Sequence, residues 1–228
     1  MKNILFVSIL LLPNLLLAAT STADIDSKIK INTVSVARLK YPGGGDWYWG
    51  SSSIPNLVDF IAKNTTIPVN PDEVRVELSD PQLFNYPFLF MTGHGNINLR
   101  ADDVEHLRAY LEAGGFLLAN DSYGLRKAFM REMKKVFPDQ EPKKLPFSYG
   151  IFHCYYDFPN GLPKIHKHDG KPPQAFGWFI GDRLVVVFDW ESDIGDGWED
   201  PQVHHDPQAK RLEALKMGTN VLVWALLH

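Results

Sequence analysis

Phe88-Leu89-Phe90-Met91-Thr92-Gly93-His94-Gly95 decides the fold. Four apolar residues in a row, with no polar alternation, read as a strand buried on both faces, as in a parallel sheet. The run halts at a histidine held between glycines. After it, Asp102 to Ala113 repeats apolar residues at Val104, Leu107, Tyr110 and Leu111, one face of a helix. Asp102 and Asp103 fall in its first turn, where carboxylates meet the positive end of the helix dipole. Gly114-Gly115 stops that helix, and Phe116-Leu117-Leu118-Ala119 reads as the next buried strand. Gly124 to Phe137 then places Leu125, Phe129, Met133 and Val136 on a second apolar stripe. Strand, helix, strand, helix in this order predicts a doubly wound α/β core.

Working outward, Thr33 to Tyr41 reads as a strand, Ile54 to Asn64 as a helix opened by Ser53 and Pro55, and Glu73 to Leu78 as a strand. Asp80-Pro81 has the form of an N-cap with proline at the first helical position. Toward the C-terminus the pattern changes. Residues from about 138 to 174 are rich in Pro, Gly, Lys and aromatics and read as an insertion packed over the sheet edge, with one aromatic run from Ile151 to Phe158. Ala175 to Ile180 and Arg183 to Trp190 flank Gly181-Asp182, which predicts a β-hairpin with a two-residue turn. Asp189 to Asp206 reads as a solvated acidic loop, and Asp206-Pro207 as the opening of a last helix ending near Leu227. The expected architecture is a mostly parallel, doubly wound sheet with a C-terminal hairpin and an insertion.

Composition narrows the function classes. The 228 residues are 45% hydrophobic and 22% charged with a formal charge of -4, so no basic face for nucleic acid is expected. Lys2, the apolar run Ile4 to Leu17 and the small residues Ala18 to Ala23 have the order of a secretory signal peptide. This predicts a mature domain over 24–228, in the periplasm or secreted, with no membrane span after cleavage. Cys154 is the one cysteine, so an intrachain disulfide is excluded.

The chemistry concentrates at three corners: Gly43-Gly44-Gly45-Asp46, Gly93-His94-Gly95 and Asn120-Asp121-Ser122. If the strands before them are parallel, all three face the crevice outside the strands' carboxyl ends, where ligands bind in such sheets. Gly44 and Gly45 let a backbone approach a ligand closely, and Trp47 and Tyr48 after Asp46 offer flat apolar surface with polar tips. The loop lacks the Lys-Ser/Thr of a phosphate-binding P-loop. His94 suits a general base, a metal ligand or an oxyanion donor. Ser122 sits where a nucleophile would, but Gly-x-Ser-x-Gly is absent, and Asp121 reads equally as a helix N-cap. His153, Asp157, His166, His168 and Asp169 fall in the insertion, and His166-x-His168 has metal-ligand spacing. His204-His205-Asp206 and the carboxylates Asp189, Glu191, Asp193 and Asp196 complete the inventory. We expect His94, Asp121 and Ser122 as catalytic residues. Gly44, Gly45, Asp46, Trp47, Tyr48, Gly93, Gly95, His153, Asp157, Glu191 and Asp193 are the expected ligand contacts. No metal and no cofactor is assigned. The partner expected is a small polar or carbohydrate-like ligand, with an envelope protein as the alternative.

Ala37-Arg38-Leu39-Lys40-Tyr41 with Gly43-Gly44-Gly45-Asp46-Trp47-Tyr48, Leu78-Ser79-Asp80-Pro81, Tyr86 to Gly95, Gly114-Gly115-Phe116-Leu117 and Phe129 to Met133 together resemble the bacterial family described as domain of unknown function 4159. Phe152 to Phe158, Glu191 to Gly195 and Gly218 to Val221 carry the likeness to the C-terminus. The resemblance implies a flavodoxin-like, class I glutamine amidotransferase-like fold, similar to ThuA-like proteins of carbohydrate metabolism. It implies no settled reaction. The amidotransferase elbow carries a cysteine with a later His and Glu; here the turn reads Asn120-Asp121-Ser122-Tyr123, which argues against glutamine-dependent amide transfer.

Overall fold

Short apolar runs pair side by side to make the sheet. The computed structural model describes residues 33–228, so the predicted signal segment lies outside the described residues. Strands β1 (Val36–Leu39), β2 (Val74–Val76), β3 (Phe88–Met91), β4 (Phe116–Ala119), β5 (Lys143–Lys144), β6 (Phe176–Ile180) and β7 (Arg183–Phe188) form one seven-stranded sheet ordered β2-β1-β3-β4-β7-β6-β5. β2, β1, β3, β4 and β7 are parallel, while at the edge β6 pairs antiparallel with β7 and β5 antiparallel with β6. The parallel part has the flavodoxin-like order, with its topological switch point between β1 and β3.

Burial explains the sequence pattern. β1, β3 and β4 are buried at every position. Alternate residues feed two cores. Leu39, Leu89, Leu117 and Phe188 meet α2 (Ala101–Glu112) and α3 (Arg126–Val136) through Leu107, Leu111, Phe129 and Met133. Val36, Phe88, Leu118 and Val187 meet α1 (Ser53–Asn64) and α6 (Gln208–Leu227) through Leu57, Ile61, Met217 and Val221. Two short helices, α4 (Ile194–Gly197) and α5 (Pro201–His204), lie between β7 and α6.

Local expectations hold in several places. Asp80 accepts from Gln82 N at 2.8 Å and starts a 3-10 turn, Pro81–Asn85. Gly181-Asp182 joins β6 to β7. Other expectations need correction. α3 starts at Arg126, because Gly124 is left-handed at φ +96° and stands outside the helix. The stretch from 138 to 174 does more than cover the edge: it supplies β5, whose Lys143 and Lys144 pair with Gly177 and Phe176. Asp206 does not cap α6, which has no side-chain cap bond; its carboxylate turns to His166. No helix among the described residues is long and apolar enough to cross a membrane.

Candidate functional site

Parallel pairing puts the corners after β1, β3, β4 and β7 on one edge of the sheet. The first two are laced together by backbone. Gly45 N donates to Asn96 O at 2.9 Å, Asp46 N to His94 O at 3.1 Å, and Asn98 N to Pro42 O at 2.8 Å. This close approach is why glycines are needed. A Cβ on Gly43 would stand 2.4 Å from Asn98 N, one on Gly45 2.7 Å from His94 O, and one on Gly93 2.6 Å from the Tyr41 hydroxyl. These glycines serve loop-to-loop packing. Among the glycines of these two corners, Gly44 alone would place a Cβ with nothing within 4 Å.

The lacing sets up an acid–imidazole pair at the switch point. The His94 N–H donates to Asp46 Oδ1, and His94 Nδ1 lies 3.1 Å from Asp46 Oδ2. The pair is partly open, with the His94 side chain 38% exposed. Trp49 packs edge-on to the His94 ring with centroids 4.8 Å apart, and its indole N–H donates to Asp196 Oδ1 at 3.1 Å. Arg38, wholly buried on β1, holds this loop by donating to the Trp49 and Gly50 carbonyls at 2.6 and 2.8 Å, and it pairs with Glu73 at 2.9 Å. Trp47 turns away, flanked by Lys40 and Arg75 at 5.8 Å, and Tyr48 is exposed.

The β4 corner is a buried hydrogen-bond net. Ser122 Oγ lies 2.9 Å from Thr92 Oγ1 and accepts from Gly93 N at 3.3 Å and from Asn120 Nδ2 at 3.2 Å. Ser122 is fully buried and has no left-handed φ, unlike the strained, exposed serine of a nucleophile elbow. Asp121 is not an N-cap: Leu125 occupies that position, and Asp121 Oδ2 accepts from Glu191 N at 2.8 Å.

The acidic loop after β7 is not solvated, contrary to the sequence expectation. Asp189, Glu191, Asp193 and Asp196 are all buried. Asp189 accepts from the N–H groups of Asp121 and Ile194, at 2.5 and 3.1 Å, which folds the loop back over the end of β4. Glu191 and Asp193 take left-handed φ of 60° and 62°, conformations that non-glycine residues hold only where surrounding contacts compel them. Glu191 is gripped by Lys164 Nζ at 2.5 Å and by the N–H groups of Asp169 and Lys171 at 3.2 Å.

Three histidines from two segments enter this carboxylate cluster. His168 Nε2 lies 3.0 Å from Asp193 Oδ2, with Nδ1 3.8 Å from Asp121 Oδ2. His166 Nδ1 lies 3.4 Å from Asp193 Oδ2 and 3.5 Å from Asp196 Oδ2, with Nε2 3.0 Å from Asp206. His204 Nε2 lies 2.9 Å from Glu199 and 3.4 Å from Asp196. Burial opposes protonation of His168, but Asp121 and Asp193 outweigh it and lift its pKa to about 10. Burial, with the Asp193 charge beside it, pushes Asp196 well above the usual carboxylate range. Asp189 is pushed the same way by burial and then by Asp193. Asp193 itself is held low: burial works against its charge, and bonds from His166, His168 and Asn120 prevail.

A cleft of about 670 Å³ opens beside the cluster, lined by Asp121, Tyr123, Arg126, Lys127, His168 and Trp190 among others. Arg126 lies over the Trp190 ring at 4.8 Å, and the Tyr123 hydroxyl donates to Asp169 at 3.0 Å. The edge thus gathers Asp46, His94, Asp121, Ser122, Glu191 and Asp193. It does not gather His153 and Asp157. Those two pair with each other at 2.5 Å, and Tyr155 between them bonds Asn64 O at the C-terminal end of α1. The expected site residues left out His166, His168, Asp196 and His204, although His166-x-His168 carried a usable spacing signal. Trp190, Tyr123 and Arg126 gave none, because an aromatic after a strand and a cation at a helix start look the same in a core or on a surface.

No curated protein matches this chain. The family model described as a domain of unknown function, DUF4159, matches residues 35–226, which spans every strand and corner above. The chain therefore belongs to the DUF4159 family.

Proposed function

We propose that this chain is an exported protein that binds a small polar, carbohydrate-like ligand in the cleft at the carboxyl edge of its sheet and acts on it by hydrolysis. The observation that carries this reading is the double position of His168: it lines the cleft and is hydrogen-bonded to Asp193 inside the buried cluster. Ligand in the cleft would therefore touch the charged cluster directly. Trp190 and Tyr123 provide flat apolar faces, and Asp121, Arg126 and Lys127 provide hydroxyl-binding groups, the mixture a sugar ring requires. The lining also carries Asp121, Asp169 and Glu191, each engaged within the protein by the Glu191 N–H, the Tyr123 hydroxyl and Lys164 respectively, whereas neither Arg126 nor Lys127 has a carboxylate within 4.0 Å among the described residues, which favours an acidic sugar over a neutral one.

In this reading His168 and Asp121, which line the cleft, face the ligand; the Asp46–His94 pair has the form of a base with its orienter but is not part of that lining, so it acts only on a ligand that reaches past the cleft to the switch point. Asp121 orients the ligand. Ser122 positions Gly93 rather than attacking. The flavodoxin-like strand order is compatible with membership of the glutamine amidotransferase-like superfamily, but a nucleophilic cysteine at the β4 corner is replaced by a buried serine. For the envelope-interaction alternative the aromatic loop offers the exposed Tyr48, whereas Trp49 points inward to Asp196.

The test is a thermal-shift series with neutral and uronic-acid oligosaccharides. A bound ligand stabilises the native state by mass action. Wild-type protein should be stabilised by the acidic members, and Asp121→Asn and Trp190→Ala should lose the shift while keeping their own folded signal. A shift that survives in both variants would remove the cleft from consideration.

A further inference from the structure

The imidazole–carboxylate cluster has an internal order that ion pairing alone does not require. Four of its groups, His166, His168, Asp193 and Asp196, turn one polar atom inward and the other toward an outer partner. His166 presents Nδ1 inward while Nε2 meets Asp206 at 3.0 Å. His168 presents Nε2 inward while Nδ1 faces Asp121 at 3.8 Å. Asp193 presents Oδ2, and its Oδ1 accepts from Asn120 Nδ2 at 2.7 Å. Asp196 presents Oδ2, and its Oδ1 accepts from the Trp49 indole at 3.1 Å. Histidines backed by carboxylates, and carboxylates backed by neutral donors, are how outer partners fix the tautomer and direction of metal ligands.

Spacing agrees. A tetrahedron with metal–ligand bonds of about 2.0–2.1 Å has edges of about 3.3–3.4 Å. The inward atoms stand 3.0 Å (His168 to Asp193), 3.4 Å (His166 to Asp193), 3.5 Å (His166 to Asp196) and 3.4 Å (His204 to Asp196) apart. Two overlapping triads result, His166/His168/Asp193 and His166/Asp196/His204, and they share His166. Charge points the same way: carboxylates outnumber imidazoles around these atoms, and burial of an unmatched carboxylate is costly.

We propose that His166 Nδ1, His168 Nε2 and Asp193 Oδ2 hold a divalent first-row metal ion, zinc by the nature of its nitrogen and oxygen donors, with Asp196 as the adjoining oxygen. The other triad competes for the same His166 nitrogen, so the site holds a single ion. Because His168 also lines the cleft, a ligand there would lie next to the ion. The metal site does not depend on which ligand the cleft takes.

The experiment uses the full chain, stripped with a chelator, desalted and titrated with zinc or cobalt(II). Metal content is read by elemental analysis and ligand geometry by the cobalt visible spectrum. The wild type should retain about one ion per chain with a cobalt spectrum of low coordination number. His166→Ala should abolish retention. Asp206→Asn, which removes only an outer partner, should weaken affinity about 10–100-fold and remains informative if His166→Ala fails to fold. His153→Ala, outside the cluster, should bind as wild type. A wild type that retains no ion, or retention unchanged in both His166→Ala and Asp206→Asn, would overturn the proposal. Metal retention without any oligosaccharide shift would instead count against the sugar reading alone.

Discussion

Trp49 donates its indole N–H to Asp196 Oδ1 at 3.1 Å, joining the loop after β1 to the loop after β7 across 147 positions of chain. The same indole packs on His94. One side chain thus connects the switch-point pair to the buried cluster.

Trp49→Phe should test that connection. The ring remains and the donor is lost, leaving the buried Asp196 oxygen without its partner. The expected loss is about 1–3 kcal/mol in urea denaturation, the cost of an unsatisfied buried acceptor. The His94 imidazole signals should move in the NMR spectrum while those of His153 stay in place. A Phe variant as stable as wild type would mean that the two loops hold their positions independently.

The glycine corners separate two effects that glycine usually combines. Gly93→Ala meets the Tyr41 hydroxyl at 2.6 Å and Asp46 O at 2.7 Å, at φ +123°. Gly44→Ala meets nothing within 4 Å and suffers only its φ of +88°. The first should lose several kcal/mol and fail to accumulate as folded protein, and the second about 1–2 kcal/mol. Equal losses in denaturation would show that backbone strain, not loop-to-loop contact, sets the requirement.

Glu132 gives the fold a defined acid limit. Wholly buried on α3, it accepts from Leu99 N at 2.9 Å and from Lys135 Nζ at 2.6 Å, and it pins the chain that follows the Gly93–Gly95 corner. Burial raises its pKa, but the bonds from Lys135, Arg131 and the Leu99 N–H lower it further, so the net shift is downward. The stabilisation is complete above the pKa of the unfolded glutamate and drains away as pH falls through the lower folded value. Glu132→Gln should therefore destabilise the protein near neutrality and flatten the acid side of the stability profile. An unchanged acid slope would contradict this role.

Much of the frame was legible because it depends on local patterning. Phe88–Met91 and Phe116–Ala119 are uniform apolar runs, and Asp80-Pro81 and Gly181-Asp182 carry their turn chemistry within two residues. Other features escaped because their cause lies elsewhere in the chain. β5 is two lysines, with no strand signature beyond its pairing with β6. Asp189, Glu191, Asp193 and Asp196 look like a solvated loop until Asp121, Asn120 and His168, distant in sequence, satisfy them. Asp206-Pro207 has the form of a cap, yet Asp206 is engaged by His166. The glycines of the first corner were read for the ligand they could admit; that Gly43 and Gly45 also admit the neighbouring loop depends on residues some fifty positions away. The corners' shared edge followed from parallel pairing; the cleft beside them depends on Trp190, which no local signal singled out, and on His168, whose spacing from His166 was legible but whose place beside this edge was not.

The central claim is that the cleft beside β4 and β7 receives the ligand. The six tryptophan indoles report on it separately, since Trp190 lines the cleft, Trp49 borders the cluster, and Trp178, Trp198 and Trp224 lie in or against the cores. The most direct measurement is an NMR titration of these indole N–H signals with uronic-acid oligosaccharides. The account predicts saturable movement of Trp190, a smaller response at Trp49 and none at Trp178 or Trp224. Movement confined to Trp224, or no saturable movement of Trp190, would contradict it.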